Sequence, residues 1–446
     1  MARETGVQTV QDDSRKVERA FLVGIQLPEQ TAEEAGELLA ELAELTDTMG
    51  VAVVGREVVR LRKPQARYLV GDGKAKELLD LAAAAGADVL IFDDYLTPSQ
   101  QRNWEELAEV AVIDRQEVIL DIFAQRAQTS EAVLQVELAR ANYSLPRLKR
   151  RWTHLHRQRG AAGGMGMRGE GEQQLEVDSR IVRRRIARLK TQLEEVQQHR
   201  RTQRAKRLRR PVPVAAIVGY TNAGKSSLLN VLTDARVLAE NKLFATLDPT
   251  VRRIDLPNNQ PLLLADTVGF IRKLPHLLVE AFKSTLEETA LADLLIEVVD
   301  ATGRAIEQQQ ATTREVLAEL GAADKPTITV FNKIDLLADP LDLRRLRLRY
   351  PDALFISTLT GEGLPELAER LGEAVSGGLH RVALVVPHRR YDLMARLHAG
   401  ATILAETYEE DGVHVDALLP PDLHAAAREF VAPPAPDPVD SQGGTC

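Results

Sequence analysis

Eight consecutive residues in the middle of the chain have the composition of a loop that binds phosphate. The β-branched run Val214 to Val218 leads into them, and the residues after them are helical in pattern. The eight residues are Gly219, Tyr220, Thr221, Asn222, Ala223, Gly224, Lys225 and Ser226. In a strand–loop–helix unit of this kind, backbone N–H groups surround the phosphates, the lysine neutralises the β- and γ-oxygens, and the serine hydroxyl can ligate Mg²⁺. The segment predicts a site for a nucleoside triphosphate.

A second acidic motif follows the apolar run Leu262 to Ala265. It consists of Asp266, Thr267, Val268 and Gly269. An acidic residue at the end of a buried strand can hold the Mg²⁺ shell through water, and a glycine N–H can sense the γ-phosphate. The sequence thus predicts both a metal and a phosphate contact here.

The remaining element of such a site must become ordered on the triphosphate and supply a second hydroxyl to Mg²⁺. The candidates lie between the phosphate loop and Asp266, and they are Phe244, Ala245, Thr246, Leu247, Asp248, Pro249 and Thr250. Of the two threonines, Thr246 is favoured as the metal ligand and Thr250 is the alternative.

The choice of base is indicated by two motifs nearer the carboxyl end. The first consists of Asn332, Lys333, Ile334 and Asp335, directly after the strand-like run Thr327 to Phe331. A carboxylate at Asp335 can accept hydrogen bonds from N1–H and the exocyclic amine of guanine, whereas adenine would leave it unpaired. The second consists of Ser357, Thr358 and Leu359, whose N–H groups can reach the guanine carbonyl oxygen. Four motifs in this order predict a guanine-nucleotide-binding domain.

The elements before this domain read as a small α/β unit followed by two long helices. From Glu18 to about Ile113, short β-branched runs alternate with stretches rich in Ala, Leu and Glu, which favours a mostly parallel sheet. The short segment Gly71 to Lys74 is interpreted as a tight turn rather than a phosphate loop. Farther on, apolar residues from Leu134 to Leu155 and from Leu175 to Val196 repeat at heptad spacing, which predicts an antiparallel helical hairpin. Its glycine-rich tip is expected over 159–171.

The hairpin is strongly basic in an otherwise acidic protein. Residues 147–210 hold 20 Lys and Arg against 6 Asp and Glu, a local net charge of +14, whereas the whole chain carries −8. Such a block suggests a polyanionic partner, and the alternative is a solvated, charge-rich helix. The candidate RNA contacts are Arg159 and Arg168 at the tip, and Arg183, Arg184, Arg185 and Lys190 on the helix.

Composition limits the class of protein and the compartment in which it is expected. The apolar runs are strand-sized, far below the roughly 18 residues of a membrane span, and the single cysteine, Cys446, excludes an internal disulfide. A monomeric cytoplasmic protein without stable membrane insertion is expected, with peripheral membrane association left open. The expected division is a flexible amino terminus (1–17), an α/β domain (18–115), the hairpin (116–210), the nucleotide-binding domain (211–377), a small α+β module (378–431) and a disordered tail (432–446).

Eight further motifs lie outside the nucleotide site. They are Tyr68 to Gly71, Ile91 to Asp94, Pro98 to Asn103, Val112 to Arg115, Leu120 to Ala124, Leu134 to Leu138, Leu145 to Arg147 and Gly171 to Glu176. Through these motifs the chain resembles the HflX-type GTPases, a family of ribosome-associated translation factors. Two positions depart from the family pattern, Val251 in place of a threonine and His156 in place of a serine. The first departure weakens the case for Thr250 and leaves Thr246 untouched.

The resemblance implies a P-loop GTPase domain with a mostly parallel sheet and helices on both faces. It also implies that residues 219–226, 244–248, 266–269, 332–335 and 357–359 bind GTP or GDP, with Ser226 and Thr246 on Mg²⁺. Asn222 is like that of relatives that recruit K⁺, which leaves K⁺ open as a second cation. The implied partners are the large ribosomal subunit and its rRNA, and the implied role is the splitting or rescue of stalled ribosomes.

One residue bears on the rate of hydrolysis. Many signalling GTPases have a water-orienting glutamine after the Asp-x-x-Gly motif, whereas this chain has Phe270. An apolar ring cannot polarise water, so intrinsic hydrolysis should be slow and depend on an external trigger, which in the family is the ribosome.

The alternative function is an RNA-modification or ribosome-assembly factor gated by its GTPase. No reactive cysteine or metal-type His/Cys cluster in the sequence favours it.

Overall fold

The structure, a computed structural model, describes residues 18–108, 110–159, 168–207, 212–233, 243–244, 247, 250–257, 260–273, 288–303, 305–376, 380–419 and 421–431. For 148–159, 168–176, 197, 199–207, 376, 380 and 421–422 the description covers the main chain only. The predicted flexible terminus (1–17) and tail (432–446) lie outside the described residues.

Contacts divide the chain into two compact units. The amino-terminal unit comprises Met1–Val196 and two short later segments, Glu240–Asp248 and Ile271–Ser284. The carboxy-terminal unit comprises Gln197–Ala239, Pro249–Phe270 and Thr285–Cys446. Both short segments flank motifs of the nucleotide-binding domain in sequence, yet they pack with the amino-terminal unit.

The amino-terminal unit is built on a parallel four-stranded sheet of order β2-β1-β3-β4. Its elements are β1 (Arg19–Gln26), α1 (Ala32–Met49), β2 (Ala52–Arg60), α2 (Asp72–Ala84), β3 (Val89–Phe92), α3 (Pro98–Leu107) and β4 (Ala111–Asp114). Thr31 and Thr97 begin α1 and α3 with capping boxes that satisfy free backbone N–H groups. The interpretation of Gly71 to Lys74 as a tight turn is wrong, because Gly71 is the N-cap of α2 and Asp72 begins it.

Three helices follow the sheet: α4 (Arg115–Arg126), α5 (Ser130–Arg159) and α6 (Arg168–Arg207). The heptad pattern from Leu134 to Leu155 lies within α5, which contains Pro146. The predicted tip, 159–171, is too long at both ends, because α5 includes Arg159 and α6 begins at Arg168.

The carboxy-terminal unit contains a six-stranded sheet of order β10-β9-β8-β5-β7-β6, in which only β6 is antiparallel to its neighbour. Its strands are β5 (Val214–Gly219), β6 (Thr250–Asp255), β7 (Pro261–Asp266), β8 (Leu294–Asp300), β9 (Thr327–Asn332) and β10 (Leu354–Phe355). The helices between them are α7 (Lys225–Thr233), α8 (Ile306–Glu319), α9 (Pro340–Arg349) and α10 (Leu364–Ser376). Aliphatic side chains such as Ile217, Leu264 and Ile296 fill the core.

The last module contains both strands and helices, as expected of an α+β module. Its elements are β11 (His380–Val386), α11 (Tyr391–Gly400), β12 (Thr402–Glu409), β13 (Gly412–Leu419) and α12 (Pro421–Ala427). The strands form an antiparallel sheet of order β11-β13-β12, which packs with Leu393 and Leu397 of α11. Among the described helices, none combines the length and the apolar character needed to cross a bilayer.

Candidate guanine-nucleotide site

The phosphate loop begins at the carboxyl end of the central strand β5 and ends where α7 begins. Gly219 and Gly224 have φ of +138° and +97°, values that favour glycine. A Cβ at Gly219 would collide with the carbonyl oxygen of Val298, and one at Gly224 with the amide nitrogen of Asn332. Only glycine fits at these two places, because neighbouring strands approach the loop so closely.

The two polar side chains that end the loop are held by the loop itself and by β7. Lys225 is buried, and its Nζ donates to the Tyr220 carbonyl oxygen at 2.7 Å. Burial lowers the pKa of Lys225 to about 8, with a smaller contribution from Lys333 and an opposing one from Asp266. The Ser226 hydroxyl donates to Asp266 Oδ2 at 2.6 Å. A hydroxyl and a carboxylate so arranged are hard oxygen donors of the kind that Mg²⁺ prefers.

The second acidic motif lies directly against the phosphate loop. The Thr267 hydroxyl donates to the Ile217 carbonyl oxygen at 2.7 Å, which fixes the chain after β7. A Cβ at Gly269 would lie 2.8 Å from Thr221 Cα and 2.9 Å from Lys225 Nζ. The absence of a side chain at Gly269 therefore lets the backbone approach the lysine ammonium.

Phe270, the next residue, also contacts the phosphate loop, through two main-chain hydrogen bonds. Its N–H donates to the Gly219 carbonyl oxygen at 3.1 Å, and its own carbonyl oxygen accepts from the Thr221 N–H at 2.8 Å. The Phe270 ring is buried, so the position offers no polar group to a water molecule.

The two predicted base-recognition motifs meet at the ends of β9 and β10. Asn332 is buried; its Nδ2 donates to the Ala223 carbonyl oxygen at 3.0 Å, and its Oδ1 accepts from the Thr358 N–H at 3.1 Å. The Ser357 hydroxyl donates to Asp335 Oδ1 at 2.6 Å. Asn332 thus joins the phosphate loop to the 357–359 segment, and Ser357 orients the carboxylate of Asp335.

The sequence reasoning missed one residue of this region, Asp300, which is the partner of the predicted residue Lys333. Lys333 has φ of +67°, and its Nζ pairs with Asp300 Oδ2 at 2.7 Å. Asp300 ends β8, next to β9 in the sheet, so it sits beside Asn332. The available signal was an acidic residue at the end of a buried strand, the same signal that identified Asp266.

The segment predicted to carry the second magnesium ligand is described only in part. Ala245, Thr246 and Asp248 lie outside the described residues, so the choice of Thr246 stays a prediction. Phe244 and Leu247 are buried in the amino-terminal unit, where the Phe244 ring meets the edge of Phe123 at a centroid distance of 4.6 Å. Thr250 begins β6.

The candidate RNA contacts on α6 are exposed, but they are not equivalent. Arg183, Arg184 and Lys190 are exposed on the helix, whereas Arg185 Nη2 pairs with Glu137 of α5 at 3.1 Å. Arg159 and Arg168 are described by their main chain only, at the end of α5 and the start of α6.

Three features occur together at this site: a phosphate loop at the end of a central parallel strand, a serine–aspartate pair beside it, and a buried asparagine that joins the loop to the base-recognition segment. Together they define a P-loop GTPase. The family model described as "50S ribosome-binding GTPase" matches residues 214–333. Two others, "GTP-binding GTPase N-terminal" and "GTP-binding GTPase Middle Region", match residues 36–124 and 126–207.

Relatives that match most of the chain show which family it belongs to. GTPase HflX of Akkermansia muciniphila is 46% identical over 432 residues, covering 95% of this chain and 99% of the relative. GTPase HflX of Escherichia coli K12 is 45% identical over 396 residues, covering 89% of this chain and 92% of the relative. The chain belongs to the HflX GTPase family, and it is an enzyme that hydrolyses GTP.

A solved structure is also similar to this chain in sequence. The crystal structure of SsGBP with GDP covers 81% of this chain and 99% of its own, at 26% identity and a TM-score of 0.45.

Proposed function

We propose that this protein is a GTP-dependent factor that binds the large ribosomal subunit through rRNA and separates the subunits of stalled ribosomes. The observation that carries the proposal is the basic hairpin, which presents Arg183, Arg184 and Lys190 to solvent on a long helix. The match of residues 214–333 to a family described as ribosome-binding supports the same partner. Exposed cations on a rigid helix suit the closely spaced phosphates of folded RNA.

For the nucleotide, we propose that residues 219–226 hold the phosphates, with Lys225 neutralising them, and that residues 332–335 and 357–359 hold guanine. Ser226 would ligate Mg²⁺ directly together with Thr246, and Asp266 would hold its water shell. The bound metal would neutralise the charge on the β- and γ-phosphates. K⁺ near Asn222 stays a further prediction.

In this scheme, GTP hydrolysis becomes fast only when the protein is bound to the ribosome. Phe270 is buried and bonded to the phosphate loop by its main chain, so no side chain at this position orients the attacking water. The trigger would come from the bound subunit, in the way that partner proteins complete the sites of other GTPases. The protein would act as a monomer in the cytoplasm.

The decisive experiment separates binding from splitting. Cosedimentation with large subunits should be strong with a non-hydrolysable GTP analogue and weak with GDP. Because α5 ends at Arg159 and α6 begins at Arg168, residues 160–167 can be replaced by a short turn without entering either helix. We expect this variant to cosediment but not to dissociate intact ribosomes in light scattering. Normal splitting by the variant, or equal binding with both nucleotides, would contradict the proposal.

A further inference from the structure

An ion pair next to the proposed guanine site joins the ends of two neighbouring strands. Lys333 Nζ pairs with Asp300 Oδ2 at 2.7 Å, and the exposures of the two side chains are 22% and 21%. Asp300 ends β8, and it lies opposite Asn332, which ends β9. The pair therefore ties the segment that follows β9 to the carboxyl end of β8.

The Asp300 carboxylate is itself held by the turn that follows it. Its Oδ1 accepts from the Thr302 N–H at 2.9 Å and from the Thr302 hydroxyl at 2.6 Å. The main chain is fixed as well, because the Ala301 N–H donates to the Asn332 carbonyl oxygen at 2.9 Å. One carboxylate oxygen is thus used by the turn, and the other faces Lys333.

Lys333 has a backbone conformation that needs support. Its φ of +67° lies in the left-handed region, which is unusual for a residue with a side chain, and surrounding contacts must hold such a residue in place. Lys333 lies between Asn332 and a short 3-10 turn, Ile334–Leu336. The ion pair with Asp300 restrains the side chain of this residue, and through it the main chain.

Two of the residues proposed to hold guanine lie on either side of Lys333. The Asn332 amide donates to the phosphate loop and accepts from the Thr358 N–H. The Asp335 carboxylate accepts from the Ser357 hydroxyl. A change of φ at Lys333 would rotate the chain between Asn332 and Asp335. Their relative positions therefore depend on the conformation of Lys333.

We propose that Asp300 is a positioning residue that determines how strictly this GTPase selects guanine. Through the ion pair it keeps Lys333 in the left-handed conformation, and this conformation directs the Asp335 carboxylate to N1–H and the exocyclic amine of the base. Asp300 acts through these two residues and not by contact with the nucleotide. The inference rests on the proposed guanine site and does not require that the protein act on ribosomes.

Asp300→Asn separates this role from a merely structural one. The amide oxygen of asparagine can still accept from the Thr302 N–H and hydroxyl, so the turn after β8 is retained. The charge that attracts the Lys333 ammonium is lost. Because the side chain is partly exposed, the core is left intact.

The test measures base selectivity with the full chain and without ribosomes. Dissociation constants are measured for GDP and for inosine diphosphate (IDP), whose base lacks the exocyclic amine and so offers Asp335 one donor fewer. Because the two nucleotides share their ribose and phosphates, the ratio of the IDP Kd to the GDP Kd reports how well the carboxylate is placed. In Asp300→Asn this ratio should fall about fivefold or more, the lower end of the coupling between linked sites.

Asp416→Asn is the matched control. Asp416 Oδ2 pairs with Arg381 Nη2 at 2.7 Å and has an exposure of 29%, but it lies in the last module of the chain. Its ratio should equal that of the unaltered protein. Lys333→Gln should lower the ratio at least as far as Asp300→Asn. The double variant should lower it no further than Lys333→Gln alone, because both changes remove the same contact.

An unchanged ratio in Asp300→Asn, an equal fall in Asp416→Asn, or a further fall in the double variant would overturn the proposal. A role confined to stability would lower the melting temperature of Asp300→Asn and leave the ratio unchanged. Equal binding of GDP and IDP by the unaltered protein would remove the proposed guanine site itself, and this inference with it.

Discussion

Asp335 is held in place by a hydroxyl that leaves part of its carboxylate available to a base. Ser357 Oγ donates to Oδ1 at 2.6 Å, so Oδ2 can face a ligand. Asp335→Asn should weaken GTP binding by roughly a hundredfold or more and favour xanthosine triphosphate, because xanthine has a carbonyl where guanine has an amine. Competition between the two nucleotides measures this exchange.

Asp339→Asn is the control for this exchange, since Asp339 caps α9 and its side chain accepts from the Leu341 N–H. An Asp335→Asn protein that still prefers GTP would remove Asp335 from the base site.

Glu117 is a second residue whose environment has a measurable effect, here on the pH dependence of the free energy of unfolding. Burial, reinforced by the nearby charge of Asp114, raises the pKa of Glu117 to about 7 from its ordinary 4.5, despite a hydrogen bond from Tyr143 and the positive charge of Arg147. The folded state then binds more protons than the unfolded state between these two values, so the free energy of unfolding falls as pH rises through that window.

Glu117→Gln should remove this part of the pH dependence and be more stable than the unaltered protein at pH 8. Urea unfolding at pH 5 and pH 8, followed by the fluorescence of buried Trp104 in a Trp152→Phe background, measures the difference. Glu77→Gln, at an exposed carboxylate, serves as the control. Equal pH slopes for Glu117→Gln and the unaltered protein would contradict the expectation.

At the scale of elements, the pairing of α5 with α6 decides which basic residues are available to RNA. Arg183 is free of ion pairs among the described residues, whereas Arg185 is partly neutralised by Glu137 of α5. Arg183→Gln should therefore reduce the salt slope of ribosome binding by about 0.7 to 0.9 log units, the value for one lost phosphate contact. Arg185→Gln should reduce it less.

Cosedimentation between low and high salt measures both slopes, and the two variants are each other's control because they remove the same side chain from the same helix. A larger loss from Arg185→Gln than from Arg183→Gln would show that this face of α6 does not meet the phosphates.

At the scale of the whole molecule, both segments that flank the nucleotide motifs are packed in the amino-terminal unit: Phe244 and Leu247 by apolar contacts, and Arg272 and Lys273 by ion pairs with Glu37 and Asp93. With Phe270 unable to orient water, the isolated protein should release phosphate slowly, and large subunits should accelerate it strongly. Phosphate release with large or small subunits, at equal concentration, tests this. Fast release without subunits, or equal stimulation by both, would contradict the external trigger.

The sequence by itself determined the parts of this protein that depend on neighbours along the chain. The phosphate loop is a strand, a glycine-rich turn and a helix within a few residues, and the caps at Thr31 and Thr97 form within one helical turn. The heptad spacing likewise predicted the two long helices. Glycine content misled at the hairpin tip, because the main chain of Arg168 to Gly171 lies in α6.

Only the tertiary structure decided which charged side chains meet. Arg272 pairs with Glu37, 235 residues earlier in the chain, and Lys333 pairs with Asp300 because β8 and β9 are neighbours in the sheet. Charged residues are common and their pairing has no periodic signature, so partners become visible only when the sheet order and helix packing are known. For the same reason the sequence predicted the same role for Arg185 as for Arg183 and Arg184. In the structure Arg185 differs from them because it forms an ion pair with Glu137 of α5.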